Sequence, residues 1–291
     1  MKELRTIRIF LTIIFLVAAC AYLFIGSDIN PMVQVSWRVQ IIPSALAMTL
    51  GATVVWIAAT FLVGRVYCSS VCPMGTLQDS ATWLRRKLFK LNMRRWHRRN
   101  PLDGRLLFAP YRYRHSGKLR LPFLITYVAL LLLGVVGVAT MIEPWNMLSS
   151  AARLTNPEGA AAWKWLLFSG NAALGGVIGL LVLFMVWLWA LLSGRRFCNE
   201  VCPVGTLLSY AAERAVCGIE IDPDKCVNCM KCESVCKAEC IKVVSRYVDN
   251  SRCVRCFDCL KVCDSDAIHI QRGRNRRGTP LMQRRTGYSR Q

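Results

Sequence analysis

The sequence predicts an α-helical membrane protein, four transmembrane helices in two parallel repeats, followed by a small α+β domain. Three observations predict it. Of 291 residues, 54% are hydrophobic and only 19% charged, an apolar balance for a soluble chain of this length. Four apolar runs, Ile7–Gly26, Ile41–Gly64, Leu121–Ile142 and Ala172–Gly194, are each about the 20 residues a helix needs to cross the hydrocarbon layer. The phrase GRVYCSSVCPMGTLQD, Gly64–Asp79, returns as GRRFCNEVCPVGTLLS, Gly194–Ser209, each time at the end of an apolar run. Backbone groups inside a bilayer have no water to bond, so helices are the physically sensible spans.

The first run follows the basic start MKELRTIR and ends in a stretch, Val17-Ala18-Ala19-Cys20, that looks like a lipoprotein cleavage box. The apolar residues continue past Cys20 to Ile25, so the run reads as a retained span rather than a signal peptide. Cys20 then reads as a small apolar packing residue. Each half of the chain next reads span, outer loop, span, then Gly-Arg-x-x-Cys-x-x-x-Cys-Pro. The outer loops echo each other faintly in Asn30-Pro31-Met32 and Pro144-Trp145-Asn146-Met147. Both halves cross in the same direction, which makes them parallel repeats about an axis near the membrane normal.

Charge orients the spans. The segment between the second and third spans holds Arg65, Arg85, Arg86, Lys87, Lys90, Arg94, Arg95, Arg98, Arg99, Arg105, Arg112, Arg114, Lys118 and Arg120, whereas the opposite side holds Arg38, Arg153 and Lys164. The positive-inside rule places both termini, the basic loop and the C-terminal domain in the cytoplasm, with the spans in a bacterial inner membrane. Trp83, Trp96, Tyr111 and Tyr113 lie among those cations, which suits an anionic lipid surface better than nucleic acid. The basic face also suits an acidic redox partner. The chain divides into a first transmembrane hairpin (1–64), a motif and basic loop (65–120), a second hairpin (121–194), a second motif (195–216), a cysteine-rich domain (217–271) and a basic disordered tail (272–291).

Disulfides are unfavourable on the cytoplasmic side, so clustered cysteines there read as metal ligands or redox thiols. The C-terminal domain contains Cys226-x-x-Cys229-x-x-Cys232-x-x-x-Cys236 and then Cys253-x-x-Cys256-x-x-Cys259-x-x-x-Cys263. This is the bacterial ferredoxin run written twice. Three close thiolates wrap three corners of an iron–sulfur cube, and the fourth cysteine crosses to the other cluster. Cluster 1 is therefore expected on Cys226, Cys229, Cys232 and Cys263, and cluster 2 on Cys253, Cys256, Cys259 and Cys236. Both are [4Fe–4S] clusters in a 2[4Fe–4S] ferredoxin domain.

Zinc would want separated pairs or added histidines, and His269 alone is near. Gly218–Asp222, Ile241–Val248 and Ala267–Gln271 read as the small strands flanking such clusters. The usual Pro after the fourth cysteine is Lys237 in one run and Asp264 in the other, a change of local solvation rather than of ligands. Cys217 and Cys240 fall outside the spacing and read as structural or incidental.

A second set is Cys68, Cys72, Cys198 and Cys202. Cysteines at i and i+4 would share one helix face, and the Pro after each pair suits the first turn of a following helix. Three readings stand: buried thiols at a helix turn, dithiol chemistry, or a shared metal or redox site. The last accounts for the doubling, because two cysteines make half of the four-thiolate set that an iron–sulfur cluster or single iron wants. Arg65 and Arg195 could then offset its negative charge.

Together, the four spans, the paired Cys-x-x-x-Cys-Pro motifs and the double-cluster domain resemble the ferredoxin-type membrane proteins of the NapH/MauN kind, over about residues 5 to 271. The nitrous-oxide-reductase regulator and FixG-type oxidase-assembly proteins contain similar modules. The resemblance implies electron transfer between membrane quinol and a partner enzyme or maturation system, as an electron-transfer subunit rather than a stand-alone enzyme. No Gly-x-Gly-x-x-Gly and no phosphate loop occurs, which argues against a nucleotide cofactor. His97, His115 and His269 all lie outside the spans, which excludes bis-histidine haem within them. Glu143, at the outer end of the third span, is a candidate quinone-binding acid–base group, with Asp28 and Glu158 as others. Two further roles stand beside the relay: a donor of electrons or thiols for cofactor assembly in another protein, and a structural anchor for a complex.

Overall fold

The computed structural model describes residues 3–24, 39–41, 50–96, 110–115, 119–134, 143–152 and 172–272. Most of both outer loops, much of the basic loop and the tail lie outside these. Helix α1, Glu3–Phe24, and helix α7, Ala172–Ser193, contain stretches long and apolar enough to cross a membrane; α2, Leu50–Val63, and α5, Arg120–Leu132, are apolar but shorter. The second and third predicted spans are thus described only in part, since residues 42–49 and 135–142 fall outside.

Helices α2 and α7 stop at the glycine that opens each repeated phrase. Gly64 and Gly194 take φ of +91° and +63°, the left-handed conformation that ends helices and that glycine adopts without strain. A short helix follows each: α3, Tyr67–Ser70, and α8, Arg196–Glu200. Pro73 and Pro203 then begin α4, Pro73–Trp96, and α9, Pro203–Glu213, as expected for a residue that needs no amide donor in the first turn.

The expected single helix face for each cysteine pair is corrected here. Cys68 and Cys198 lie within α3 and α8, but Cys72 and Cys202 lie at the junctions. A residue before proline is pushed out of helical geometry, and Cys202, with φ −64° and ψ 122°, is extended and caps α9.

Helix α6, Pro144–Ala152, packs on α4 and α7, while its Trp145 and Ala152 bury against Ala19 and Leu23 of α1. The C-terminal domain pairs β1, Cys217–Ile221, with β4, Ile268–Arg272, in antiparallel register Ile219↔Ile270. The segment Ile241–Val248, read as one strand, is a hairpin of β2, Ile241–Lys242, and β3, Tyr247–Val248, turned by Arg246 at φ +50°. Short helices α10, Lys231–Ser234, and α11, Asp258–Val262, complete it. One hydrophobic core runs from Tyr67, Val71 and Met147 through Val204 and Leu208 to Ile219, Val243 and Phe257, so the domain is packed onto the helices.

Candidate functional site

The two ferredoxin runs wind alike. Asn228 and Arg255, Met230 and Phe257, and Glu239 and Asp266 occupy equivalent places in the runs, and all six have positive φ. Such turns point successive backbone amides into a concavity that suits an anionic group. Two cavities result. One is lined by Cys226, Cys229, Cys232 and Cys263 with Ile221 and Val243; the other by Cys236, Cys253, Cys256 and Cys259 with Ile219 and Phe257. Each takes three cysteines from one run and one from the other.

The described cysteines are all free thiols. Among the described residues no three Cys, His, Asp or Glu side chains converge as on a single ion; the thiols stand around apolar-walled cavities instead, an arrangement that suits a cluster better than a lone zinc. The residues present fit two cubes.

Cys240, read from the sequence as structural, lies at the second cavity with its sulfur 3.5 Å from Cys236 Sγ. The two sulfurs share a hydrogen bond, and this contact raises the Cys240 thiol while lowering those of Cys236 and Cys253. Spacing alone could not reveal this role, because Cys240 reaches Cys253 across the domain.

The repeated phrase builds a third cluster of sulfurs. Cys68, Cys72, Cys198 and Cys202 are all buried and within mutual electrostatic reach. The two copies clasp each other: Arg65 donates to the Cys198 carbonyl at 3.1 Å and to Asn199 Oδ1 at 2.6 Å, and Arg195 donates to the Cys68 carbonyl. Gly75 and Gly205 face the same two carbonyls so closely that a Cβ at either would overlap them. Arg65 Nη2 also lies 3.8 Å from Cys68 Sγ.

Burial pushes the Cys198 thiol up to about 11 and raises Cys72 and Cys202 as well. Reactive thiols sit instead in partly exposed settings that lower the pKa. Gln78 accepts from Cys198 Sγ at 3.3 Å. Its amide nitrogen and the Thr206 hydroxyl are buried without a hydrogen-bond partner among the described residues.

Sequence reasoning missed the charges that join domain to helices. Asp79, where the second copy has Ser209, contacts Arg195 at 2.7 Å, Lys237 at 2.7 Å and Arg8 at 3.1 Å. Asp258 contacts Arg5 at 2.7 Å, Arg86 at 2.9 Å and Lys237 at 3.7 Å. Burial alone would raise both carboxyls; Arg195, Lys237 and Arg8 hold Asp79 well below the usual range, and Lys237, Arg86 and Arg5 bring Asp258 down to about 2. The available signals were the two departures themselves, Asp79 from its copy and Lys237 from proline. Several cations of the basic loop are likewise spent inside the protein, as Arg85 bonds the end of α7 and stacks on Tyr111.

Glu143 is 2% exposed and directly precedes α6, where its carbonyl accepts from Met147 N at 3.0 Å. It accepts from Asn146 Nδ2 at 2.6 Å and is within electrostatic reach of Tyr67 and Tyr127. The Tyr67 hydroxyl donates to Gln40 Oε1 at 2.6 Å. Asp28 and Glu158 lie outside the described residues.

Family models described as "4Fe-4S binding domain" match residues 45–92 and 174–218, which hold both Cys-x-x-x-Cys-Pro phrases, and residues 219–242, which hold the first ferredoxin run. The chain is 26% identical over 203 residues to the ferredoxin-type protein NapH of Haemophilus influenzae, covering 67% of this chain and 55% of that protein. It is 25% identical over 202 residues to the methylamine utilization ferredoxin-type protein MauN of Paracoccus denitrificans, covering 67% and 56%. An uncharacterized protein of Methanocaldococcus jannaschii is 27% identical over 206 residues, covering 71% and 64%. The chain thus matches little more than half the length of the NapH and MauN proteins. No solved structure matches. The chain is a homologue of the NapH and MauN ferredoxin-type proteins and carries 4Fe-4S binding domains.

Proposed function

We propose that the chain is a membrane-bound iron–sulfur protein that relays electrons between the quinone pool and a partner redox enzyme. The observation that carries this reading is the pair of cysteine-lined cavities, each built by both runs, in one core with a third group of four thiols at the helix ends. Clusters bound there would accept and release single electrons. Cys226, Cys229, Cys232 and Cys263 hold the first, and Cys253, Cys256, Cys259 and Cys236 the second. Cys68, Cys72, Cys198 and Cys202 hold a third iron centre, supported by the clasped repeat, the buried unpartnered donors and the matched family description. Arg65 offsets its charge and Gln78 orients Cys198.

The membrane reading rests on exposed apolar surface. Only 17% and 22% of the spanning stretches of α1 and α7 are buried, whereas a core helix of a soluble protein would be mostly covered. Phe10, Val17, Val54, Leu132 and Met185 are all more than half exposed on α1, α2, α5 and α7, where lipid would cover them. Four spans in a bacterial inner membrane, with termini and ferredoxin domain cytoplasmic, follow from the loop charges. Glu143 is the residue that accepts a quinol hydroxyl and takes its proton. The partner is a redox protein and the basic faces meet anionic lipid.

Iron and sulfide analysis of the detergent-purified full chain tests this reading: two cubes give about eight of each and a third about twelve. Four or fewer would sink it. Cys236→Ser should damage the spectrum of the second cluster more than the first. Anaerobic addition of a short-chain quinol should reduce the loaded protein, and failure to do so would remove the quinone arm.

A further inference from the structure

Resting on that reading, we infer a fixed order of centres: the Cys236–Cys253–Cys256–Cys259 cavity is the membrane-proximal one and the Cys226–Cys229–Cys232–Cys263 cavity the outward one, with Lys237 as the residue that sets this orientation. Each copy of the repeated phrase is bonded to a segment carrying a ligand of the same cavity. On one side, the Lys237 carbonyl, next to Cys236, accepts from Arg195 N at 2.8 Å, and it rests on Gly194 where a side chain would collide. On the other, Arg65 donates to the Ser251 carbonyl at 3.4 Å and Ser69 to the Arg255 carbonyl at 3.5 Å, on either side of Cys253. The Arg255 guanidinium lies against Gly64.

Lys237 stands where ferredoxins carry proline, and a proline could not reach Asp79. Its ammonium bridges Asp79 of the first phrase and Asp258, which sits between Cys256 and Cys259. Lys237 is 3% exposed. Its counterpart in the other run, Asp264, has a side chain 78% exposed, paired with Lys231 across the surface. Cys229 is exposed, and Val227 and Met230 beside it are 71% and 43% exposed. The first cavity therefore meets water, while residues flanking the second are bonded to both phrases that carry the four thiols. Because electron tunnelling falls steeply with distance, single electrons would pass between the four-thiol site and the second cavity, then the first, then a water-soluble one-electron carrier. At each exchange one side is oxidised by one electron and the other reduced by one, with no bond made or broken.

The test is EPR of the reduced full-length protein in lipid nanodiscs with a water-soluble dysprosium chelate, signals being assigned with Cys229→Ser and Cys253→Ser. The relaxation enhancement is expected to be several-fold larger for the signal that Cys229→Ser alters than for the one that Cys253→Ser alters. Equal enhancement, or the reverse, overturns the order. Lys237→Met at unchanged iron content should expose the second signal to the chelate and slow its reduction by quinol; no change in either removes Lys237 from the positioning role. Finding fewer than two cluster signals at full reduction would overturn the two-cluster reading along with the order, whereas two equally enhanced signals would overturn the order alone.

Discussion

Replacing Asp79 with Asn removes one negative charge from the contact of three cations without changing side-chain size. Arg195 and Lys237 are almost fully covered, and Arg8 nearly so, so the variant leaves buried positive charge facing a neutral amide. Removing one partner of a buried pair costs roughly 3–5 kcal/mol, because the remaining charge stays desolvated. The Asp79 side chain is 19% exposed, and water screens part of the interaction, so the lower end, about 3 kcal/mol, applies. The three contacts share one carboxylate and do not add.

The quantity at stake is the docking of the ferredoxin domain, read by amide hydrogen exchange at Arg195, whose N–H donates to the Lys237 carbonyl. At about 1.4 kcal/mol per decade, the local opening constant should rise about a hundredfold. Lys231→Met, which breaks the solvent-exposed pair with Asp264, should leave that exchange unchanged and serves as the control. Unaltered exchange at Arg195 in Asp79→Asn would refute the view that buried charge holds the domain in place.

Gly75→Ala and Gly205→Ala should each disrupt the four-thiol site, because the new methyl overlaps the Cys68 or Cys198 carbonyl; an overpacking cost of about 1–3 kcal/mol or more would appear as a lower melting temperature. Gly51→Ala, where a new Cβ meets nothing within 4 Å among the described residues, should instead stabilise α2 by about 0.5–1 kcal/mol. Cys240→Ala removes a hydrogen bond to the Cys236 and Cys253 sulfurs and should lower the midpoint potential of the second cluster by about 20–60 mV, equivalent to roughly 0.5–1.5 kcal/mol; a redox titration followed by EPR checks it. Cys72→Ser/Cys202→Ser should lose about four irons per chain while the ferredoxin signals persist. Because Asp258 is held down to about 2, its contribution to docking is complete above the unfolded carboxyl value near 4 and is lost only as pH falls toward 2. Exchange at Arg195, corrected for intrinsic rate, should therefore be the same at pH 7 and pH 5.

Much of the fold and site was legible because it is written in spacing. The stops at Gly64 and Gly194, the helix starts at Pro73 and Pro203 and the flanking strands of the ferredoxin domain all follow from local backbone rules that need no tertiary context. The cysteine runs were legible for the same reason. What spacing could not give was any contact between segments far apart in the chain. The shared helix face expected for each cysteine pair gave way at the proline, and spacing could not show that Glu143 is buried beside Asn146 where α6 packs on α1, α4 and α7. The cations of the basic segment carry no mark of which bond inward, yet Arg65 and Arg85 do.

The sequence by itself determined the apolar helices, the doubled phrase and the two cysteine runs, since each depends on residues a few positions apart and on the fixed geometry of helix, turn and strand. Only the tertiary structure decided how the two phrases clasp, why one of them ends in Asp79, and why Lys237 replaces proline. Those residues are selected by partners from other segments of the chain, Asp79 and Arg195 being 116 positions apart, and the low dielectric of a packed interior makes each buried charge answer to the particular opposite charge that folding brings to it.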